Sequence, residues 1–425
     1  MKIGIIGAGF TGLAAAHRLT KEGQDVTVFE SEGSPGGLAL GFTQKGWMWS
    51  LEKHYHHWFY SDFVIRRLAE ELGHKYIYLT TKTSTFFRGS KLQLDSALSL
   101  MRFKGLPLVD RVRTALVLAF LKVTPFWKSL EGITAREFLI KYNGKKAWQA
   151  LWRPLFEKKF SGFAGQIPAS WFWARVKKRS SKLGYPEGGF LSLAKRLDTQ
   201  IKAGGGEILY ETKVEKITEI SSKLVVLTNK RQFEFDRIIC TLPYALFAKI
   251  TEGLPEEYQQ KLISFKGIGA LNLILVLNRR FLDDGTYWLN MNETKFPFLA
   301  VVEHTNFIDK KYYAGSHIVY VGNYLPHDHP YYGKEAGELL EDFLPYLHEI
   351  NPEFSLKWVQ EAYLFKAPFA QPVIPLNYSK IMPEMTTPIE GLYLANIQQV
   401  YPWDRGTNYA VELGEKVANM VIQSE

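Results

Sequence analysis

The chain has 425 residues, 46% of them hydrophobic and 22% charged, with a formal net charge of +9 and one cysteine. That length and balance support a large buried core divided between two domains, and they exclude a disordered, collagenous or disulfide-stapled chain. The longest apolar run, Thr114 to Val123, is about half of the ~20 residues a membrane span needs, and within the helical pattern Asp110 to Phe126 it reads as a core helix.

The first predicted elements are a strand (Ile3 to Ile6), a glycine turn (Gly7-Ala8-Gly9-Phe10-Thr11-Gly12), an Ala-rich helix and a second strand (Val26 to Phe29) that ends in Glu30. This is the pattern of a dinucleotide-binding unit. Gly7 allows the tight turn, Gly9 lets the backbone approach a pyrophosphate, and Gly12 lets the helix pack on the strand. The amides of Phe10 and Thr11, at the start of the helix, then face the phosphates, and Glu30 is placed to accept hydrogen bonds from a ribose diol. With the fingerprint beginning at residue 2, no signal peptide is expected and the reading is a cytoplasmic protein.

Ser34-Pro35-Gly36-Gly37 follows, a second cluster of small residues that would let more amides crowd a diphosphate. Gly36 and Gly37 resemble the Gly-Gly pair of the large flavoprotein superfamily that contains amine oxidases, protoporphyrinogen oxidases, phytoene desaturases and UDP-galactopyranose mutases. The resemblance implies FAD as the cofactor. Next come a predicted aromatic strand, Trp47 to Ser50, and Glu52-Lys53-His54-Tyr55-His56-His57-Trp58. His54 and His57 are spaced like two histidines that face the flavin in the mutases, and a histidine there could hydrogen-bond or protonate the ring edge. Packed or surface histidines and a metal site are the alternatives, the last without a Cys or carboxylate set at ligand spacing.

Between Leu98 and Lys182 aromatics such as Trp148, Trp152, Phe156, Trp171 and Trp173 alternate with cations such as Lys158, Lys159, Arg175, Lys177, Lys178 and Arg179. Trp148, Trp152 and Phe156 recur every four residues and would share a helical face. Three readings stand: aromatics in a core beneath a solvated basic face, an amphipathic substrate or anionic membrane surface, or nucleic acid, for which no recognition motif is present.

Tyr185 to Leu193 resembles the superfamily's Pro-x-Gly-Gly segment returning to the cofactor domain. The short runs from Gly206 to Pro243 read as a small sheet leading back to a buried parallel strand holding Cys240, a core residue. By the same resemblance the backbone of Val214 contacts the adenine. In the strand Leu271 to Leu277, counting back from Phe281 puts Asn272 where amine oxidases carry a lysine, which disfavours amine oxidation. A strand His317 to Val321, a helix Gly337 to Ile350 and connectors at Tyr324 to Gly333 and Lys366 to Pro375 follow.

The last segment has a buried strand, Gly391 to Asn396, then Gln398 to Gly406, then a helix beginning Gly406-Thr407-Asn408-Tyr409-Ala410. The resemblance places this helix N-terminus against the pyrimidine side of a flavin and makes Asn396, Gly406, Asn408 and Tyr409 cofactor contacts, although Asn396 stands where an Asp is usual and Tyr409 where a small residue is. Tyr401 and Trp403 are expected to form a cavity wall, and Arg405 either to hold an anionic group or to pair with Asp404.

The expected architecture is α/β: a Rossmann-like FAD-binding domain (1–75, 185–245 and 375–425) interleaved with an α+β substrate domain (76–184, mainly helical, and 246–374). The resemblance implies a flavin oxidoreductase that takes hydride from an apolar or amphipathic substrate, lipophilic or anionic; the basic-aromatic stretch adds the expectation of peripheral contact at the inner face of a membrane, and with no recognition motif no nucleic acid partner is expected. The alternative is a mutase-like enzyme on a nucleotide sugar with no net redox change, although the mutases' diphosphate-binding arginines have no match in this chain. A non-enzymatic flavoprotein docking on a membrane complex is a third.

Overall fold

The protein is described by a computed structural model over residues 1–424. Five short strands form a central parallel sheet in the order Glu207–Leu209, Asp25–Phe29, Lys2–Ile6, Arg237–Cys240, Leu392–Leu394. Nearly every residue of these strands is buried, as a parallel sheet covered on both faces requires. The Phe10–Lys21 helix packs on this sheet and against the Thr407–Gln423 helix. Both contacts depend on glycine: a Cβ on Gly12 would lie 1.9 Å from the carbonyl oxygen of Gly7, and one on Gly414 would lie 2.2 Å from that of Thr11. Cys240 sits in the sheet as a buried free thiol, pushed up to about 12 by its burial.

The second sheet has seven strands, in the order Val359–Pro372, Gly267–Leu277, His317–Leu325, Ala300–Glu303, Thr286–Met291, Lys82–Phe87, Ser90–Gln93. Side chains alternate across it with the two-residue period of a strand. Leu271, Leu273, Leu275 and Leu277 pack in one core with the Ala336–Ile350 helix, while Ala270, Ile274 and Val276 pack in the other. Asn272 is on this second face.

Several local expectations change. Trp47 to Ser50 is a turn, and the strand is Leu51–Glu52, paired with Gly41–Phe42. Glu52 is fully buried, accepting from the Tyr185 hydroxyl at 2.7 Å and the Phe190 amide at 2.9 Å, and desolvation pushes its carboxyl up to about 7. The expected connector at Lys366 is instead the end of the Val359–Pro372 strand. A π-helical turn at Trp148–Trp152 shifts the face that a regular helix would present. Trp148 therefore meets Phe156 (5.6 Å between ring centroids), whereas Trp152 meets Phe172 (4.9 Å).

The largest departure is the Leu108–Val123 helix. Only Thr114 and Leu121 are buried in it, so it is not a core helix. Val109, Val112, Leu116, Phe120 and Val123, at spacings of three or four, are 41–72% exposed and make one apolar stripe on the surface. The aromatics of the neighbouring stretch, Trp148, Phe156, Trp171 and Trp173, are the ones that are buried. Among the described residues no helix is long and apolar enough to cross a membrane.

Candidate active site

One cavity of about 1390 Å³ begins at the glycine turns and reaches the helical insertion. Single-ligand pockets are commonly ~300–1,000 Å³, so this one is large enough for two molecules end to end. Its first part is made of backbone. Gly7 has φ +101° and donates its amide to the carbonyl of Phe29 at 2.8 Å, and Gly36 donates to that of Ala8 at 2.9 Å. Gly37, with φ +57°, lies so close to Gly9 that a Cβ would stand 3.0 Å from the Gly9 Cα. Gly9 starts the Phe10–Lys21 helix without a side-chain cap, so the helix amides and positive dipole end face the cavity, which Phe10 and Thr11 line. Glu30 is 9% exposed and points its carboxylate here, fixed by the Ala8 amide at 2.8 Å and the Glu32 amide at 3.0 Å. Val214 lines the adjoining end with Thr212 and Leu246. A diphosphate and a ribose diol fit these groups.

The middle of the cavity holds the three histidines. Asn272 Nδ2 donates to His54 Nδ1, His56 Nδ1 donates to the His54 carbonyl at 2.6 Å, and the Tyr287 hydroxyl is 3.1 Å from His57 Nδ1. Burial lowers all three imidazoles, His54 and His57 to about 3 and His56 to about 4. The nearby cations Arg405 (for His54 and His56) and Arg179 (for His57) act in the same direction. They are therefore neutral at pH 7, hydrogen-bonding groups and not the proton donors expected from an ordinary histidine.

Arg405 also lines the cavity. Its Nε donates to Gln371 Oε1 at 2.9 Å and its Nη2 to the Tyr324 hydroxyl. The expected pair with Asp404 does not form. Asp404 instead binds Arg175 at 2.6 Å and the Trp171 indole at 3.2 Å; burial would raise its carboxyl, but Lys159, Arg175 and Arg405 hold it down to about 2.

Of the other residues singled out in the sequence, Gly406 lines the cavity together with Thr407 and Ala410, whereas Gly12, Asn396, Asn408, Tyr409 and Tyr401 lie behind its wall. Asn396 caps the short Ile397–Gln399 turn and donates to the Leu242 carbonyl at 2.9 Å. Asn408 Oδ1 accepts the amides of Val64 and Ile65, serving as an external cap for the Phe63–Glu71 helix. Tyr409 stacks on Trp403, which stacks in turn on Trp173. Tyr401 bonds Ser170 at 2.8 Å and Glu131 at 2.9 Å, so neither Tyr401 nor Trp403 forms the expected cavity wall. Lys159, Arg175 and Arg179 do line it, and only the four-residue spacing of the two arginines marked a shared helical direction in the sequence.

The profile of the flavin containing amine oxidoreductase family matches residues 10–422. Coproporphyrinogen III oxidase of Staphylococcus aureus is 25% identical over 289 residues, 58% of this chain and 61% of that protein. The mitochondrial protoporphyrinogen oxidase of Nicotiana tabacum is 48% identical over 48 residues, 11% of this chain and 10% of that protein. The chain thus matches less than two thirds of either relative's length. Among solved structures, a protoporphyrinogen oxidase-like protein from Exiguobacterium superposes with a TM-score of 0.78 at 15% identity, covering 100% of this chain and 99% of its own. Reduced UDP-galactopyranose mutase superposes with a TM-score of 0.77 at 16% identity, covering 100% of this chain and 96% of its own. At such identities the likeness is one of fold.

Proposed function

The chain belongs to the family of flavin containing amine oxidoreductases, and from that premise we propose an FAD-dependent oxidoreductase that takes hydride from a carbon of an apolar or amphipathic small molecule. The observation that carries this reading is the continuity of one cavity from the glycine cradle, past His54 and Arg405, to an apolar chamber under the helical insertion. FAD, when bound, supplies the two-electron acceptor. Gly7, Gly9, Gly36 and Gly37 hold its diphosphate, Glu30 its ribose, Val214 its adenine, and Gly406 with the following helix turn its flavin end. Segments 1–75, 185–245 and 375–425 are read as the cofactor domain, and 76–184 with 246–374 as the substrate domain.

His54 and Asn272 orient the reacting partner by neutral hydrogen bonds, and Arg405, anchored by Gln371 and Tyr324, sets the electrostatics of the chamber entrance. Asn272 is 3% exposed and stands where amine oxidases carry a lysine, which supports a carbon rather than an amine donor. The Leu108–Val123 helix lines the same chamber with Thr114, Ala115, Leu118 and Ala119 and carries the exposed apolar stripe, which supports peripheral contact with a membrane as the source of substrate.

Every cofactor contact in this account is a backbone amide or a carboxylate, and the only cysteine is buried in the central sheet away from the cavity lining. The flavin is therefore held without a covalent bond. The protein should purify yellow, and heat denaturation should release FAD, identified by chromatography, into the supernatant. Pigment that stays with the precipitated chain, or a colourless protein that takes up no FAD, would overturn this reading.

A further inference from the structure

Between the Ala169–Lys178 and Leu108–Val123 helices the cavity is lined by cations out of proportion to its acids. Arg175 is matched by Asp404 at 2.6 Å. Among the described residues the side chains of Lys159 and Arg179 make no hydrogen bond or ion pair; Asp404 acts on Lys159 only from beyond ion-pair distance, and burial holds the Lys159 ammonium well below the usual lysine range. Lys159 is 8% exposed and is surrounded by the rings of Tyr324, Trp171 and Phe160 at 4.7, 5.5 and 5.9 Å. Arg179 lines the cavity and is also exposed, so it stands where the cavity meets solvent; desolvation and then Arg175 lower its guanidinium to about 10. Asp95 acts on it only from a distance.

A buried ammonium without a partner costs several kcal/mol, which favours its neutral form, and an anion joining Lys159 to Arg175 and Arg179 would restore its charge. The walls beyond them are apolar. Leu100, Ala115 and Leu118 line the cavity, and it opens where Ala97 and Ala119 are both exposed and both line it. Leu116, Phe120 and Val123 of the surface stripe flank this opening.

We propose that this part of the cavity binds a single-tailed amphiphile, its anionic head, a phosphate or a carboxylate, held by Lys159, Arg175 and Arg179 and its hydrocarbon tail leaving between Ala97 and Ala119 toward the exposed stripe. The assignment rests on the reading that the cavity receives the substrate. It narrows that substrate from an apolar or amphipathic molecule to one with a charged head and a tail. The aromatic cage around Lys159 adds to the hold, because a cation over ring faces is still free to donate its protons to an anion.

Calorimetric titration of the flavin-loaded protein with decyl phosphate, decanoate, decanol, inorganic phosphate and coproporphyrin tests it. At least one of the two charged decyl compounds should bind tenfold or more tightly than decanol, since charge-assisted hydrogen bonds contribute about 1.5–3 kcal/mol each, and the tighter of the two identifies the head. Arg179→Ala and Lys159→Met should each weaken that ligand by about tenfold or more and leave decanol unchanged. Arg179→Lys should restore part of the loss. Equal binding of decanol, inorganic phosphate as tight as the tailed ligands, indifference to both substitutions, or binding of coproporphyrin alone would each overturn the assignment. Flavin absorbance on the same samples keeps the tests apart, because a protein without flavin refutes the oxidoreductase reading while the heat of amphiphile binding reports this site alone.

Discussion

Glu30→Ala lowers the affinity for FAD by roughly 2–4 kcal/mol, or about 30- to 700-fold, in reconstitution titrations of the apoprotein followed by quenching of flavin fluorescence. The carboxylate is 9% exposed, and its orientation is set before any ligand arrives by the amides of Ala8 and Glu32 at 2.8 and 3.0 Å and the Ser31 hydroxyl at 3.3 Å. A ribose diol meeting it gains two charge-assisted hydrogen bonds without paying to order the side chain. Removal leaves the buried Ala8 amide unsatisfied as well as the ribose. Glu30→Gln keeps the shape and one acceptor and so falls between wild type and alanine. Wild-type affinity in Glu30→Ala would mean that the ribose lies elsewhere and that the glycine register is misread.

The second large effect is on membrane association. The wild-type protein should float with anionic vesicles, and the double variant Leu116→Asp, Phe120→Asp should remain at the bottom of the gradient with its flavin content unchanged. Leu116 is 66% and Phe120 52% exposed, so neither substitution opens a core cavity. Each side chain transferred from water contributes about 1.5–3 kcal/mol when fully covered, and two carboxylates at an anionic surface reverse the sign of the interaction. Exposed Lys104, in the loop before this helix, adds about 1 kcal/mol at an anionic surface. That part is screened by salt while the apolar part is not. Flotation of the double variant as complete as that of wild type would remove the stripe from the membrane reading.

Three cations of the basic-aromatic stretch are not available for this contact. Lys177 donates to the Val123 carbonyl at 2.9 Å, Lys178 sits 4.5 Å over the Trp403 ring, and Arg179 faces the cavity. Nothing in a local pattern distinguishes a lysine that closes a helix end from one in solvent. The same limit explains the Leu108–Val123 helix, where an apolar run reads alike whether its partner is the protein core or something outside the chain. By contrast the glycine turn, Glu30 and the Gly36-Gly37 pair were legible because each meets a constraint imposed by its own neighbours in sequence: a positive φ, a helix start, a strand end. The side chains after the last strand were less so. Asn396, Asn408 and Tyr401 are polar groups beside a cofactor motif, and only the folded structure shows that their hydrogen bonds are already used by Leu242, by Val64 and Ile65, and by Ser170 and Glu131. The three histidines all line the cavity, but their neutral state follows from an enclosure and from arginines distant in sequence.

The central claim is that this cavity accepts hydride from a bound organic substrate, and anaerobic mixing with the visible flavin spectrum recorded tests it most directly. The oxidised protein, mixed without oxygen with a reduced porphyrinogen or an amphiphile selected by the calorimetric series, should lose its absorbance near the flavin maximum and regain it when oxygen or another electron acceptor is admitted. UDP-galactopyranose should leave the oxidised spectrum unchanged. A spectrum that no apolar or amphipathic candidate bleaches, together with interconversion of the nucleotide sugar only after chemical reduction of the flavin, would contradict the account and make the protein a mutase-like enzyme without net redox change.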